Sequence, residues 1–325
     1  VDSKFSSLKY ILMKKVAIIG AGNVGGEAAK YLANRGLAEI VLIDIAEGIA
    51  KGKALDILHA GPIENSSISI IGGSDYSIIE NSDVVIITAG KPRKPGMSRE
   101  ELLKVNFDIV SGISENVKKY APNSVVIVVS NPLDAMVYTA YRVTGFPRER
   151  VIGMAGLLDS ARFAAFIAQE LGVSTADVRA MVLGTHGDLM VPMVRFATVN
   201  GIPAKDLIPE DRMKEIVNRT KYAGGEIVQL MGTSAWFAPG DAAAFMAEAV
   251  LLDANRVLSA SVYLKGEYGI DGVFVGVPVV LGKGGVKRII ELKLTEDEME
   301  ELRKSAEHIR KLQEEVDALL KGGGI

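Results

Sequence analysis

The 325-residue chain contains no cysteine, only three histidines and a single tryptophan. Without cysteine there is no disulfide, no thiolate nucleophile and no Cys-ligated zinc or iron–sulfur cluster, so no metal centre is expected. Chemistry falls to His, Asp, Glu, Arg or a bound organic cofactor. Although 48% of the residues are hydrophobic, the pattern offers no membrane span, and no membrane partner is expected. An excess of positive charge is lacking too. A formal net charge of −3 argues against a broad nucleic-acid-binding face and leaves room for a local basic cluster suited to a small anion. Residues Val1 to Leu12, ahead of Met13, match neither a signal peptide nor a transit sequence. They read as an extension (1–12) outside the main fold, and a cytoplasmic location is the default expectation.

What is present is an alternation of short apolar runs with helix-length amphipathic segments, the pattern of a parallel sheet covered by helices. Strands are expected over Val16–Ile19, Ile40–Ile43, Ile68–Ile71, Val84–Thr88 and Val125–Val129, apolar enough to be buried on both faces. Glu27–Asn34 and Ile49–Leu58 supply crossover helices, giving a Rossmann-type doubly wound α/β fold over residues 13–147. Gly145-Phe146-Pro147 interrupts the pattern, and 148–325 read as an α+β half. There Ala161–Leu171 and Ala242–Leu252 suggest helices, while Val178–Leu183, Val191–Thr198 and Val273–Leu281 suggest strands. Thr295-x-x-Glu298 is a capping box before a long amphipathic helix, expected to pack on the second half.

The first chemical motif is Gly20-Ala21-Gly22-Asn23-Val24-Gly25, placed after a strand and opening a helix. Its glycines let the backbone approach a pyrophosphate at the helix N-terminus. Asp44 lies nineteen residues beyond Gly25, at the end of the next strand, where a carboxylate accepts hydrogen bonds from the adenosine ribose and repels a 2′-phosphate. The expected cofactor is therefore NAD and not NADP. Thr88-Ala89-Gly90 forms a second small-residue turn after the fourth strand.

The second motif is Gly184-Thr185-His186-Gly187-Asp188, whose glycines leave an imidazole accessible for proton transfer near neutral pH. His59, before Ala60-Gly61-Pro62, reads as a helix-end residue, and His308 sits among charges on the last helix. Taken alone, His186 reads equally as catalytic or structural. Asp159 and Arg162 are three apart in a helix's first turn; the pair can orient an imidazole and grip a carboxylate, or simply cap the helix with an ion pair. The Gly90–Arg99 loop, with Arg93 and Arg99, is either a solvated basic loop or the wall of a site at the carboxyl edge of the sheet.

In this order, the glycine motif, Asp44, Thr88-Ala89-Gly90, Arg93/Arg99, Ser130-Asn131-Pro132, Asp159-x-x-Arg162 and Gly184-Thr185-His186-Gly187-Asp188 resemble the lactate/malate dehydrogenase family. The likeness runs from Lys14 to the final helix. It implies a hydride exchange between NAD and a 2-hydroxy acid, with His186 as proton donor and acceptor and Asp159 as its carboxylate partner. Arg162 would hold the carboxylate next to the reacting carbon, and Arg99 would polarise the carbonyl from a loop that closes over the substrate. Asn131 would touch substrate and nicotinamide through a cis Asn131-Pro132 peptide, and Asn106 and Val129 would border the cofactor, as would Gly20 to Gly25, Thr88 and Gly90. A homodimer or homotetramer is also implied.

Arg93 occupies the position at which lactate-specific members carry Gln and malate-specific members carry Arg. A guanidinium in a closed site needs an anion, which the second carboxylate of a dicarboxylate supplies and the methyl of pyruvate does not. Ala235 and Pro239 also resemble the malate pattern, while Asp241 has no assigned role. A lactate or branched 2-hydroxy acid dehydrogenase, an NAD-dependent glycosidase and a nucleotide-sensing module are the competing readings.

Overall fold

The computed structural model describes residues 14–92 and 98–322. The expected extension at 1–12 and Arg93 lie outside these residues. Six strands form the parallel part of the main sheet: β1 (Lys15–Ile19), β2 (Glu39–Ile43), β3 (Ile70–Gly73), β4 (Val84–Ile87), β5 (Val125–Val128) and β6 (Val151–Gly153). They lie in the order β6-β5-β4-β1-β2-β3, which places the reversal of winding between β1 and β4, the crevice where ligands bind in such sheets. The central strands are buried on both faces because every residue in Val84–Ile87 and Val125–Val128 is apolar. The covering helices are α1 (Asn23–Arg35), α2 (Glu47–Glu64), α3 (Arg99–Tyr120), α4 (Leu133–Thr144) and α5 (Gly156–Leu171).

Several expectations are corrected. The Gly145 signal marks the left-handed C-cap of α4 and not the end of the sheet; β6 follows it and pairs parallel with β5, beyond the boundary expected at 147. Helix α2 runs through Pro62 to Glu64 and is capped by Asn65, so His59 is an exposed residue inside it and not at its end. The expected strand at 178–183 is broken into β7 (Val178–Arg179) and β8 (Val182–Leu183). Likewise, 191–198 is split between β9 (Val191–Pro192) and β10 (Thr198–Val199), followed by β11 (Ile202–Pro203). Each two-residue piece takes a different partner, β7 with β10 and β8 with β9, so apolar periodicity overstates their length.

Beyond these come α6 (Glu210–Met231), α7 (Phe237–Leu251), β12 (Arg256–Lys265), β13 (Asp271–Gly282), β14 (Gly285–Ile289) and α8 (Glu296–Gly322). Strands β12 to β14 extend the parallel sheet instead of forming a separate one, through the antiparallel pairing of Ser261 with Gly153. Nine strands thus make one continuous sheet. Helix α8 starts at the expected box, in which Thr295 and Glu298 exchange hydrogen bonds. It crosses both halves: Val316 is buried with Val126 and Tyr138 in the core of the first half, and Tyr138 donates to Asp317. Among the described residues no helix is long and apolar enough to cross a membrane.

Candidate active site

The carboxyl ends of the parallel strands carry the cofactor-binding candidates along one edge. Gly20, immediately after β1, has a φ of 112°, and a Cβ there would lie 2.6 Å from the Ala89 nitrogen. A Cβ on Gly25 would lie 1.9 Å from the Gly20 oxygen, so these two glycines are demanded by the turn itself. Gly22 differs: a Cβ there would meet nothing within 4 Å. It is the N-cap of α1, with no side-chain cap and no acidic residue in the first turn, which leaves N–H groups around Asn23 and Val24 directed at open space. Thr88 locks the turn by donating to the Gly20 carbonyl at 2.9 Å.

Asp44 follows β2. One carboxylate oxygen accepts from the Ala21 N–H at 2.8 Å and the other from Ala46 at 2.9 Å. Each oxygen keeps acceptor capacity for a further donor. Val129 is half-buried and continues β5 by donating to Ile87. Asn106 is buried at 1% exposure; its carboxamide accepts from the Lys91 N–H and donates to the Lys91 and Asn131 carbonyls. It ties the segment after Gly90 to the Asn131-Pro132 turn, whose peptide is cis. Gly90 is close as well: a Cβ there would lie 3.3 Å from Asn106 Oδ1.

The proton-transfer candidates come together across elements. Helix α5 begins at Gly156, where a Cβ would lie 2.2 Å from the Ser259 hydroxyl of β12, and this close approach sets Asp159 one turn inside. Asp159 is 1% exposed; Oδ2 lies 2.8 Å from His186 Nδ1, and Oδ1 accepts from Arg162 at 3.2 Å. Nδ1 is engaged, so Nε2 is the nitrogen left for a substrate. Burial on its own disfavours the imidazolium, but the charge and hydrogen bond of Asp159 outweigh it. Arg162 opposes and Asp134 assists, and the His186 pKa lies above the ordinary imidazole value.

The loop holding His186 is fixed by its neighbours. Gly184 makes a two-bond bridge to Gly276 of β13, and the Thr185 N–H donates to Ser305 of α8 at 2.6 Å. The glycine before the histidine thus serves close packing as well as access, since a Cβ would lie 2.5 Å from the Ser305 hydroxyl.

Arg99 is the first residue of α3 and is exposed. A capping box fixes that helix start: Ser98 and Glu101 exchange hydrogen bonds of 2.8 and 3.0 Å. The Ser-x-x-Glu spacing was legible in the sequence and was missed there, as was Asp134, a buried acid beneath the histidine loop. Asp241 faces Glu27, whose carboxyl pKa is raised by burial and by Asp241; Gly240 allows α7 to approach α1 there.

The model of the lactate/malate dehydrogenase NAD binding domain matches residues 14–153, and that of the lactate/malate dehydrogenase alpha/beta C-terminal domain matches 157–320. The chain belongs to the lactate/malate dehydrogenase family. Within that family, it is 56% identical to a malate dehydrogenase of Thermomicrobium roseum over 301 residues, 93% of this chain and 97% of that protein. The malate dehydrogenase structure from Salinibacter ruber superposes with a TM-score of 0.91 at 50% identity, covering 95% of this chain and 99% of that one. The lactate dehydrogenase of Cryptosporidium parvum, complexed with lactic acid and NAD, superposes with a TM-score of 0.90 at 44% identity, covering 94% and 99%. Family architecture therefore leaves the choice of hydroxy acid to individual side chains.

Proposed function

We propose that this chain is an NAD-dependent malate dehydrogenase in which His186 exchanges a proton with the substrate oxygen. The observation that carries the reading is Asp159, buried and divided between His186 Nδ1 and Arg162. One carboxylate holds both the acid–base group and the cation that grips the substrate.

The residues fit the cofactor. Gly22 and the uncapped start of α1 form a cradle for a pyrophosphate, and Asp44 presents a carboxylate to the ribose. When bound, NADH supplies the hydride. Arg162 pairs with the carboxylate next to the reacting carbon, and Arg99 stabilises negative charge developing on the carbonyl oxygen. His186, protonated on Nε2, gives its proton to that oxygen; the neutral ring takes it back when malate is oxidised. Asp159 holds the ring and stabilises the imidazolium.

Arg93 supports the choice of a dicarboxylate, because its guanidinium needs the second carboxylate as a counter-charge. The names of the relatives agree. The test compares NADH oxidation with oxaloacetate and with pyruvate: oxaloacetate should be favoured by roughly a thousandfold in kcat/KM. Equal rates, or a preference for pyruvate, would overturn the substrate.

The same reading includes a cytoplasmic homodimer or homotetramer. Support for the oligomer comes from exposed apolar side chains on α2 (Ile49, Leu58, Ile63), near the end of α6 (Leu230) and at the start of α7 (Phe237).

A further inference from the structure

Beneath the histidine loop lies a second carboxylate that the mechanism above does not use. We propose that Asp134 is a positioning residue for His186: it clamps the histidine's backbone N–H and adds negative charge close to the imidazole, while Asp159 holds the ring at Nδ1. The proposal rests on His186 being the acid–base group.

Asp134 is the second residue of α4, two positions after the Asn131-Pro132 turn, and is 3% exposed. Its Oδ2 accepts the Thr185 hydroxyl at 2.5 Å and the His186 N–H at 3.2 Å. The Ser261 hydroxyl of β12 lies 3.5 Å from Oδ1. Helix α4 thus connects the Asn131 turn directly to the residue that must reach the substrate.

A carboxylate is a costly choice for this place if only packing is required. Burial, the largest influence, and Asp159 raise the Asp134 pKa above the ordinary carboxylate value on balance, against the Thr185 hydroxyl and His186, which pull it down. Among the described residues, the charged groups that act on it are His186 and Asp159. Asparagine would fill the same volume without burying a charge. What the charge adds is a preference for the imidazolium. Among the described residues, the charged groups that act on His186 are Asp159 and Arg162 from α5 and Asp134 from α4, with Asp188 next along its own loop. Strand β12 and helix α8 bring the hydroxyls of Ser261 and Ser305 to this network, and Arg303, Lys304, Glu307, His308 and Lys311 of α8 line a pocket with Leu189 further along the loop. The start of α4 tempers the cost, since helix N-termini favour anions.

The experiment is Asp134→Asn in the full-length enzyme. With three histidines in the chain, the His186 imidazole can be assigned by substitution and titrated by NMR in the NADH complex. The expected result is a His186 midpoint lower by about half a pH unit or more, with oxaloacetate turnover reduced about tenfold or more and NADH affinity retained. A lowered melting temperature with an unchanged His186 midpoint and pH profile would show a purely structural role and overturn the proposal. If the Asn variant does not fold, Thr185→Val removes the hydroxyl contact and keeps the carboxylate. Its turnover should drop several-fold with NADH affinity retained, and parental turnover would overturn the clamp. Failure of the underlying reading is distinguishable, because it appears as near-normal turnover in His186→Asn, with Asp134 intact.

Discussion

Asp159 Oδ2 lies 2.8 Å from His186 Nδ1, on a carboxylate that is 1% exposed. Asp159 holds the imidazolium favourable above the ordinary histidine range despite the cost of burial. The sign follows directly. With His186 as the proposed acid–base group, oxaloacetate reduction, which would use the protonated ring, should persist until the pH passes the raised pKa, and malate oxidation, which would use the neutral ring, should rise only beyond it. In Asp159→Asn both limbs should move to lower pH, with turnover reduced by about a hundredfold or more. Parallel pH profiles for the two directions in the parent enzyme would contradict this assignment.

Removing the ring is the complementary change. His186→Asn should leave folding and NADH binding intact while turnover falls by about a hundredfold or more. Stopped-flow turnover and NADH fluorescence titration on the same preparation separate these quantities. A variant that turns over near the parental rate would mean that another group carries the proton.

The glycine motif yields a contrast between two alanine variants. Gly25→Ala places a Cβ 1.9 Å from the Gly20 oxygen, whereas Gly22→Ala places one in open space. Gly25→Ala should lose stability, by about 1–3 kcal/mol or more. Gly22→Ala should melt at the parental temperature yet bind NADH more weakly, because the added methyl would occupy the proposed pyrophosphate cradle. Unchanged NADH affinity in Gly22→Ala would remove this turn from the site.

Asp44 is oriented by the N–H groups of Ala21 and Ala46, and in the proposed cofactor site its charge would repel a 2′-phosphate. Asp44→Ser should weaken NADH binding and narrow the gap to NADPH. The measurement is the ratio of kcat/KM for the two cofactors, and an unaltered ratio argues against the ribose contact.

In the proposed function, Arg93 is the residue that selects the substrate. Arg93→Gln should lower kcat/KM for oxaloacetate and raise it for pyruvate, since it removes a counter-charge from one and an unpaired guanidinium from the other. In the proposed mechanism Arg162, Arg99 and His186 act on the portion common to both acids, so chemistry should survive. A change in the ratio of less than about tenfold, roughly 1.4 kcal/mol, would remove Arg93 from recognition of the distal carboxylate.

The sequence by itself determined the parallel sheet, because runs such as Val84–Ile87 and Val125–Val128 are apolar throughout and suit strands buried on both faces. It also determined the nucleotide edge, since Gly20, Gly25 and Asp44 act through local turn geometry at the ends of adjacent strands. The Thr295 capping box was readable for the same reason: its contacts span only three residues. Tertiary structure decided the rest. Strands β12 to β14 join the first sheet through a single pairing between Ser261 and Gly153, an event between residues far apart in the chain that no local pattern encodes. The short strands around 178–199 depend on partners that periodicity cannot name. Asp159 and His186 were individually visible as candidates, but only packing against Ser259 and Ser305 brings carboxylate and imidazole to hydrogen-bond distance. Asp134 was invisible as a site residue because its partners, Thr185, His186 and Ser261, all come from other elements; burial, which gives its charge its energetic weight, exists only once the chain has folded.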